Sequence, residues 1–183
     1  MKKYFGIKVT LTAYVLIFLF ISIAHSADTP TINEHLKPLL PFVGKTWKGE
    51  LKDPSSGMTG YDISKWELVL NGQAIRVLHS VNDGIYGGET IIIWDNDKQQ
   101  LLSFYFTTAG FYTQGTISFK DGKIISHEKV NDNQNGITEV KAVAEVTPDG
   151  KLQSKSQYLK NGEWIAGHEI IYVEDPTAEV KSK

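Results

Sequence analysis

From Trp47 onwards, apolar and polar residues alternate with a period of two, and turn-forming residues interrupt the alternation at short intervals. That is the pattern of successive strands whose side chains point to opposite faces, and not of helices. The spans read as Trp47–Leu51, Tyr61–Leu70, Gln73–Val81, Glu89–Asp95, Gln100–Thr107, Phe111–Phe119, Lys123–Val130, Ile137–Val146, Leu152–Lys160 and Trp164–Val173. Between them lie Asn71-Gly72, Asn82-Asp83-Gly84, Asn96-Asp97-Lys98, Asp121-Gly122, Asn135-Gly136, Pro148-Asp149-Gly150 and Asn161-Gly162. Asn, Asp and Gly accept tight turns and left-handed backbone at little cost. Connections this short make consecutive strands antiparallel neighbours, so the chain is a meander. A long meander without crossover helices must hide its edges, and closure does so most completely. The expected fold is therefore all-β, an antiparallel up-and-down β-barrel of about ten strands. An opened sandwich is the structural alternative.

The first residues stand outside this pattern. Lys2, Lys3 and Lys8 precede an uncharged apolar run from Ala13 to Ala24, and Ala24-His25-Ser26 offers small residues at both positions a signal peptidase reads. This reads as a cleavable signal peptide over residues 1–26, cut before Ala27. The run falls well short of the roughly 20 apolar residues a membrane-spanning helix needs. The expected product is periplasmic or secreted, with no stable membrane anchor after cleavage. Next, Thr31-Ile32-Asn33-Glu34 has the form of a capping box. Ile32, Leu36, Leu39 and Leu40 fall near one helical face, and Pro38 and Pro41 keep the helix to one or two turns. The barrel domain is read as residues 27–174, followed by a polar tail, 175–183, expected to be flexible.

Composition narrows the chemistry. Loss of residues 1–26 removes three lysines and no acid, taking the formal charge from −2 to −5. A mildly acidic chain with scattered lysines has no basic footprint for nucleic acid. There is no cysteine, which excludes disulfides, thiol nucleophiles and zinc–thiolate sites. No Gly-x-Ser-x-Gly elbow, His-Glu-x-x-His run or phosphate-binding glycine loop occurs. Nothing marks the chain as an enzyme, and no metal site is expected.

The segment Leu36-Lys-Pro-Leu-Leu-Pro-Phe-Val-Gly-Lys-Thr-Trp-Lys-Gly-Glu50 resembles the opening of lipocalin-like and nitrobindin-like (calycin) barrels. Trp66 to Leu70 with Asn71-Gly72 and Arg76, Gly87-Gly88-Glu89 through Trp94-Asp95, and Phe104 to Gly110 resemble the following strands of bacterial lipocalin-like domains of unknown function. The resemblance implies that Trp47 plugs the barrel floor after the short helix. It also places His168 roughly where nitrobindin-like barrels carry the histidine that ligates haem iron.

Six residues are candidates for contact with a ligand: Arg76, His79, Tyr105, Tyr112, Tyr158 and His168. Arg76, between Ile75 and Val77, either points inward to hold a ligand carboxylate or points outward to pair with Glu67 or Glu89. His79 shares a face with Ile75, Val77 and Val81, and reads equally as a hydrogen-bonded core histidine. Tyr105, Tyr112 and Tyr158 offer apolar faces with polar tips. Trp164, Ala166, His168, Ile170 and Tyr172 are expected to line one face of the last strand, and which face is inward is left open, since a bulge at Gly87-Gly88 would shift the register. His127, among Lys123, Ile125 and Lys129, reads as facing solvent.

The leading expectation is a carrier or sensor for a small, mainly apolar molecule. A haem-binding barrel with His168 as the iron ligand comes second. An interaction domain with no internal ligand comes third, with exposed loops such as Asn131 to Asn135 then carrying the function.

Overall fold

The computed structural model describes residues 31–52, 59–132 and 135–181. The signal sequence expected over residues 1–26, with its cut before Ala27, lies outside the described residues, as do the centre of the Asn131–Asn135 loop and the last two residues.

Ten antiparallel strands close into one barrel. They are β1 Thr46–Lys52, β2 Thr59–Val69, β3 Ala74–Val81, β4 Tyr86–Asp95, β5 Gln100–Thr107, β6 Tyr112–Lys120, β7 Lys123–Asn131, β8 Ile137–Val146, β9 Leu152–Lys160 and β10 Glu163–Glu174. Each strand pairs with its sequence neighbours, and β1 pairs with β10 through Trp47↔Glu174, Lys48↔Val173 and Gly49↔Tyr172. The alternation in the sequence thus reports a meander, and closure leaves no free edge. At the turns the chain adopts left-handed backbone at Asn71, Asp83, Asp121 and Asn161, the residue types that tolerate it best without being glycine.

The N-terminal helix forms as expected but is capped differently. It is a 3-10 helix over Glu34–Leu39, and the side chain of Asn33 accepts from the His35 backbone N–H at 3.1 Å. Thr31 instead offers its carbonyl to Gln73 Nε2 at 3.2 Å, so the cap moves two residues along the chain. Three residues per turn place Leu36 and Leu39 on one face, and both are fully buried. Leu40, expected on that face, is turned outward.

This helix closes one end of the barrel. Leu36, Leu39 and Phe42 pack with Trp47 into a core that continues through Ile75, Ile92, Leu101, Ile117, Ile124 and Leu152. Trp47 is fully buried, and its indole N–H donates to the Phe42 carbonyl at 3.2 Å. A large ring with its single polar atom satisfied is well suited to fill a barrel end. The opposite end is bounded by the β3–β4, β5–β6, β7–β8 and β9–β10 connections.

One local expectation is corrected. The β3–β4 and β4–β5 registers run through Gly87 and Gly88 without interruption, so no bulge falls there. The pairing to β9 shifts in β8 between Ile137 and Glu139 and in β10 between Ala166 and Glu169. The extra residue in β10 reverses the alternation. Trp164 consequently points outward, with Lys141 Nζ 4.0 Å from its ring, while Ile165 lines the interior. His168, Ile170 and Tyr172 share the inward face.

Beyond β10, Asp175 N–H donates to Thr46 O at 2.8 Å near the closed end. Lys181 then reaches the other end of β3. Its backbone N–H donates to Ser80 Oγ at 3.0 Å, and its ammonium lies 2.7 Å from Asp83.

Replacing Trp47 with alanine should cost about 3–5 kcal/mol, because it leaves a cavity at the centre of the floor. Equilibrium urea unfolding measures this, and a loss below about 1 kcal/mol would contradict the packing described.

Candidate functional site

Pairing register sorts the inner wall from the outer. Asp62↔Val81 and Ser64↔His79 between β2 and β3, then Val81↔Tyr86 and His79↔Gly88 between β3 and β4, then Thr90↔Tyr105 between β4 and β5 all share the inward face. The interior continues through Tyr105↔Thr113 and Gly115↔Glu128 to Val140↔Tyr158.

Above the packed floor these positions enclose a cavity of about 710 Å³ that opens at the end opposite the helix. Its wall carries the polar His79, Tyr86, Tyr105, Glu128, Tyr158 and His168 together with the apolar Phe111, Val130, Ile137, Val140 and Ile165. Asn135 and Lys160 border the open end.

The deep wall is organised by a hydrogen-bonded chain. Tyr172 Oη donates to Asp62 Oδ2 at 2.6 Å, and His79 Nδ1 lies 2.9 Å from Asp62 Oδ1. The other ring nitrogen, Nε2, is 2.5 Å from the Tyr105 hydroxyl, which is 2.9 Å from the Tyr86 hydroxyl. A carboxylate only accepts, so His79 holds a proton on Nδ1 towards Asp62, while the Tyr105 hydroxyl donates to Tyr86. Burial, with the Asp62 carboxylate nearby, raises the phenol of Tyr172 far above its ordinary value; burial, with Tyr86 adjoining, does the same for Tyr105. These phenols keep their protons and act as donors.

Glycines make room for this chain. A Cβ on Gly88, opposite His79, would meet the Tyr105 ring at 2.6 Å and the Phe106 carbonyl. One on Gly49 would meet Ile170 Cγ2 at 2.6 Å and Tyr172 Cδ1 at 2.9 Å. On β6, Gly115 yields its space to Glu128, whose Cγ would lie 2.6 Å from such a Cβ. Glu128 accepts from Thr113 Oγ1 at 2.5 Å and from the Ser126 hydroxyl. Burial outweighs these neutral donors and raises its pKa above the usual glutamate range.

The other candidates divide by face. Tyr158 and His168 both line the cavity, with ring centroids 5.7 Å apart edge to face, and His168 Nδ1 is buried without a hydrogen-bond partner. Arg76 lies on the outer face, its guanidinium 2.6 Å from Glu67, so it is no anchor for a carboxylate inside the barrel. Tyr112 is also outside, half-exposed and stacked on Phe106. His127 points outward to Glu139 at 2.6 Å. Among the described residues, no group of three or more histidine or acidic side chains is placed to hold a metal ion.

Asp62, Tyr86 and Glu128 were not among the sequence candidates. The signal that could have found them is the inward glycine beside each site residue, readable only once the register is known.

Fold and cavity together define a closed, ten-stranded antiparallel barrel whose cavity is lined by both polar and apolar side chains. The crystal structure of Rv2717c from M. tuberculosis has a similar fold, with a TM-score of 0.60, 12% sequence identity, and alignment covering 79% of this chain and 99% of that one. No family model matches the sequence. No curated protein matches it either.

Asp62→Asn should cost about 1–3 kcal/mol, since an amide turns a donor towards either His79 or Tyr172. Arg76→Ala, which breaks a partly exposed ion pair, should cost less than about 1 kcal/mol. Thermal unfolding of both variants checks the inward and outward assignments. A raised carboxyl pKa means that the folded state holds the Glu128 proton after the unfolded chain has released it. The wild type should therefore lose stability relative to Glu128→Gln as pH rises above the ordinary glutamate value of 4.5. Melting temperatures of both proteins across that range test this, and parallel curves would contradict it.

Proposed function

We propose that the protein is an exported carrier or sensor that binds one small amphipathic, mainly apolar molecule inside its barrel. The observation that carries this reading is the amphipathic cavity. A space of about 710 Å³ is within the size of small-molecule sites, which are mostly apolar with a few placed polar groups. The chain Tyr172–Asp62–His79–Tyr105–Tyr86 holds the polar groups in fixed orientation before any ligand arrives, which lowers the ordering cost of binding. Phe111, Val130, Ile137, Val140 and Ile165 give the apolar part of a ligand its contact. The lysine-led apolar segment at the start of the sequence supports export.

Haem is the second reading, favoured by the place of His168 in the cavity wall. A ligating imidazole ordinarily gives its second nitrogen to an acceptor, whereas Nδ1 of His168 has none. Haem therefore fits the site less well than a small amphipathic molecule does.

Native mass spectrometry of the purified protein should show an adduct of small-molecule mass that is lost on denaturation. Widening of the cavity wall by Tyr158→Ala should change its occupancy. A chain that never carries or takes up any small molecule would overturn the reading. Added hemin should give no Soret band that depends on His168; a strong band abolished by His168→Ala would replace the first reading with the second.

A further inference from the structure

The proposal rests on the ligand-binding reading above and concerns what kind of molecule the cavity selects. Charge is distributed very unevenly around its wall. Deep inside lies Glu128, set beside Thr113 and diagonal to Tyr105 across β5, β6 and β7. Its hydrogen-bond partners are two neutral hydroxyls, and among the described residues no lysine or arginine forms an ion pair with it. The cations nearest in the strand pattern, Lys129 beside Glu128 on β7 and Lys141 beside its partner Val140 on β8, lie on the outer face, and Lys160 stands at the open end. Asp62 adds a second inward carboxylate, already engaged by His79 and Tyr172.

A carboxyl buried without a cationic partner is costly, and a group that returns a counter-charge recovers much of that cost. The phenol rings of Tyr86, Tyr105 and Tyr158 line the same cavity. Aromatic faces attract ammonium groups, and phenol oxygens accept their hydrogen bonds. A ligand carboxylate pushed into this end would instead meet Glu128 as a like charge, which selects against it. Gly115 is what allows the arrangement, because any side chain there would occupy the space of Glu128.

We propose that the deep end of the cavity receives a protonated amine, with the Glu128 carboxylate as its counter-ion and the tyrosine rings around it. The ligand is then a small amphipathic amine whose apolar part lies along Phe111, Val130, Ile137 and Ile165 towards the opening. The raised pKa of Glu128 agrees with a carboxyl that lacks its partner in the free protein.

Three probes of equal chain length decide the matter: octylamine, 1-octanol and octanoate, each titrated into the 15N-labelled protein near neutral pH and followed by amide chemical shifts. Octylamine should bind at least about tenfold more tightly than either other probe. Its shifts should centre on Thr113, Glu128 and their neighbours across β5 to β7. In Glu128→Gln its affinity should fall to within about threefold of that of octanol, which itself should be unchanged. Equal or tighter binding of octanol or octanoate would overturn the proposal while leaving the ligand-binding reading standing. An amine preference that survives Glu128→Gln, or shifts confined to the outer face, would also overturn it. If none of the three probes moves cavity resonances, the ligand-binding reading falls and this proposal with it. The wild-type order of affinities stands as a test even if Glu128→Gln does not fold.

Discussion

The pairing of β1 with β10 is the contact on which the rest of the molecule depends. Without Trp47↔Glu174 and Gly49↔Tyr172 the meander would have two bare edges and an open interior. Gly49 permits the approach, since a side chain there would strike Ile170 and Tyr172. The same seam places Tyr172 of β10 within 2.6 Å of Asp62 on β2, on the far side of β1. Closure and site are therefore one structure. The hydroxyl that crosses the seam holds one oxygen of Asp62, whose other oxygen sets the imidazole of His79.

From that point order is passed along neighbouring strands. Asp62 fixes His79, His79 fixes Tyr105, and Tyr105 meets Tyr86. Each link joins side chains on adjacent or next-adjacent strands of a sheet that cannot slip, because a shift of one residue would turn every inward group outward. The packed floor around Trp47 fixes the depth of the cavity, and the polar chain fixes the orientation of its wall. Buried polar chains of this kind are rigid when every member is satisfied. Glu128 differs from the others in having only neutral donors, and so it is the group whose state a ligand can change most.

Much of the architecture was legible in the sequence. The bounds of β5, β8 and β9 agree with the alternation and its flanking turns to the residue, and the short helix and buried Trp47 follow from the segment around Phe42 to Trp47. What alternation cannot give is which face is inward when both faces carry apolar residues. Arg76 could be placed only when its neighbours on β2 and β4 were known, and the register pairs it with Glu67 outside. The bulge in β10 is marked in the sequence only by Gly167, so Trp164 and His168, read as sharing one face, lie on opposite faces. Nothing in the residues around Asp62 and Glu128 distinguishes them from surface acids in alternating strands. Their burial is set by partners distant in sequence, Tyr172 above all.

The central claim, that closure of the barrel and the order of its inner wall are joined through Asp62, is tested most directly at His79. Side-chain 15N chemical shifts of its imidazole report which nitrogen carries the proton. The expected result is an Nδ1 that carries a proton and is hydrogen-bonded to Asp62, with loss of that state in Asp62→Ala. An unprotonated Nδ1 in the wild type, or an Nδ1 signal that Asp62→Ala leaves unchanged, would contradict it.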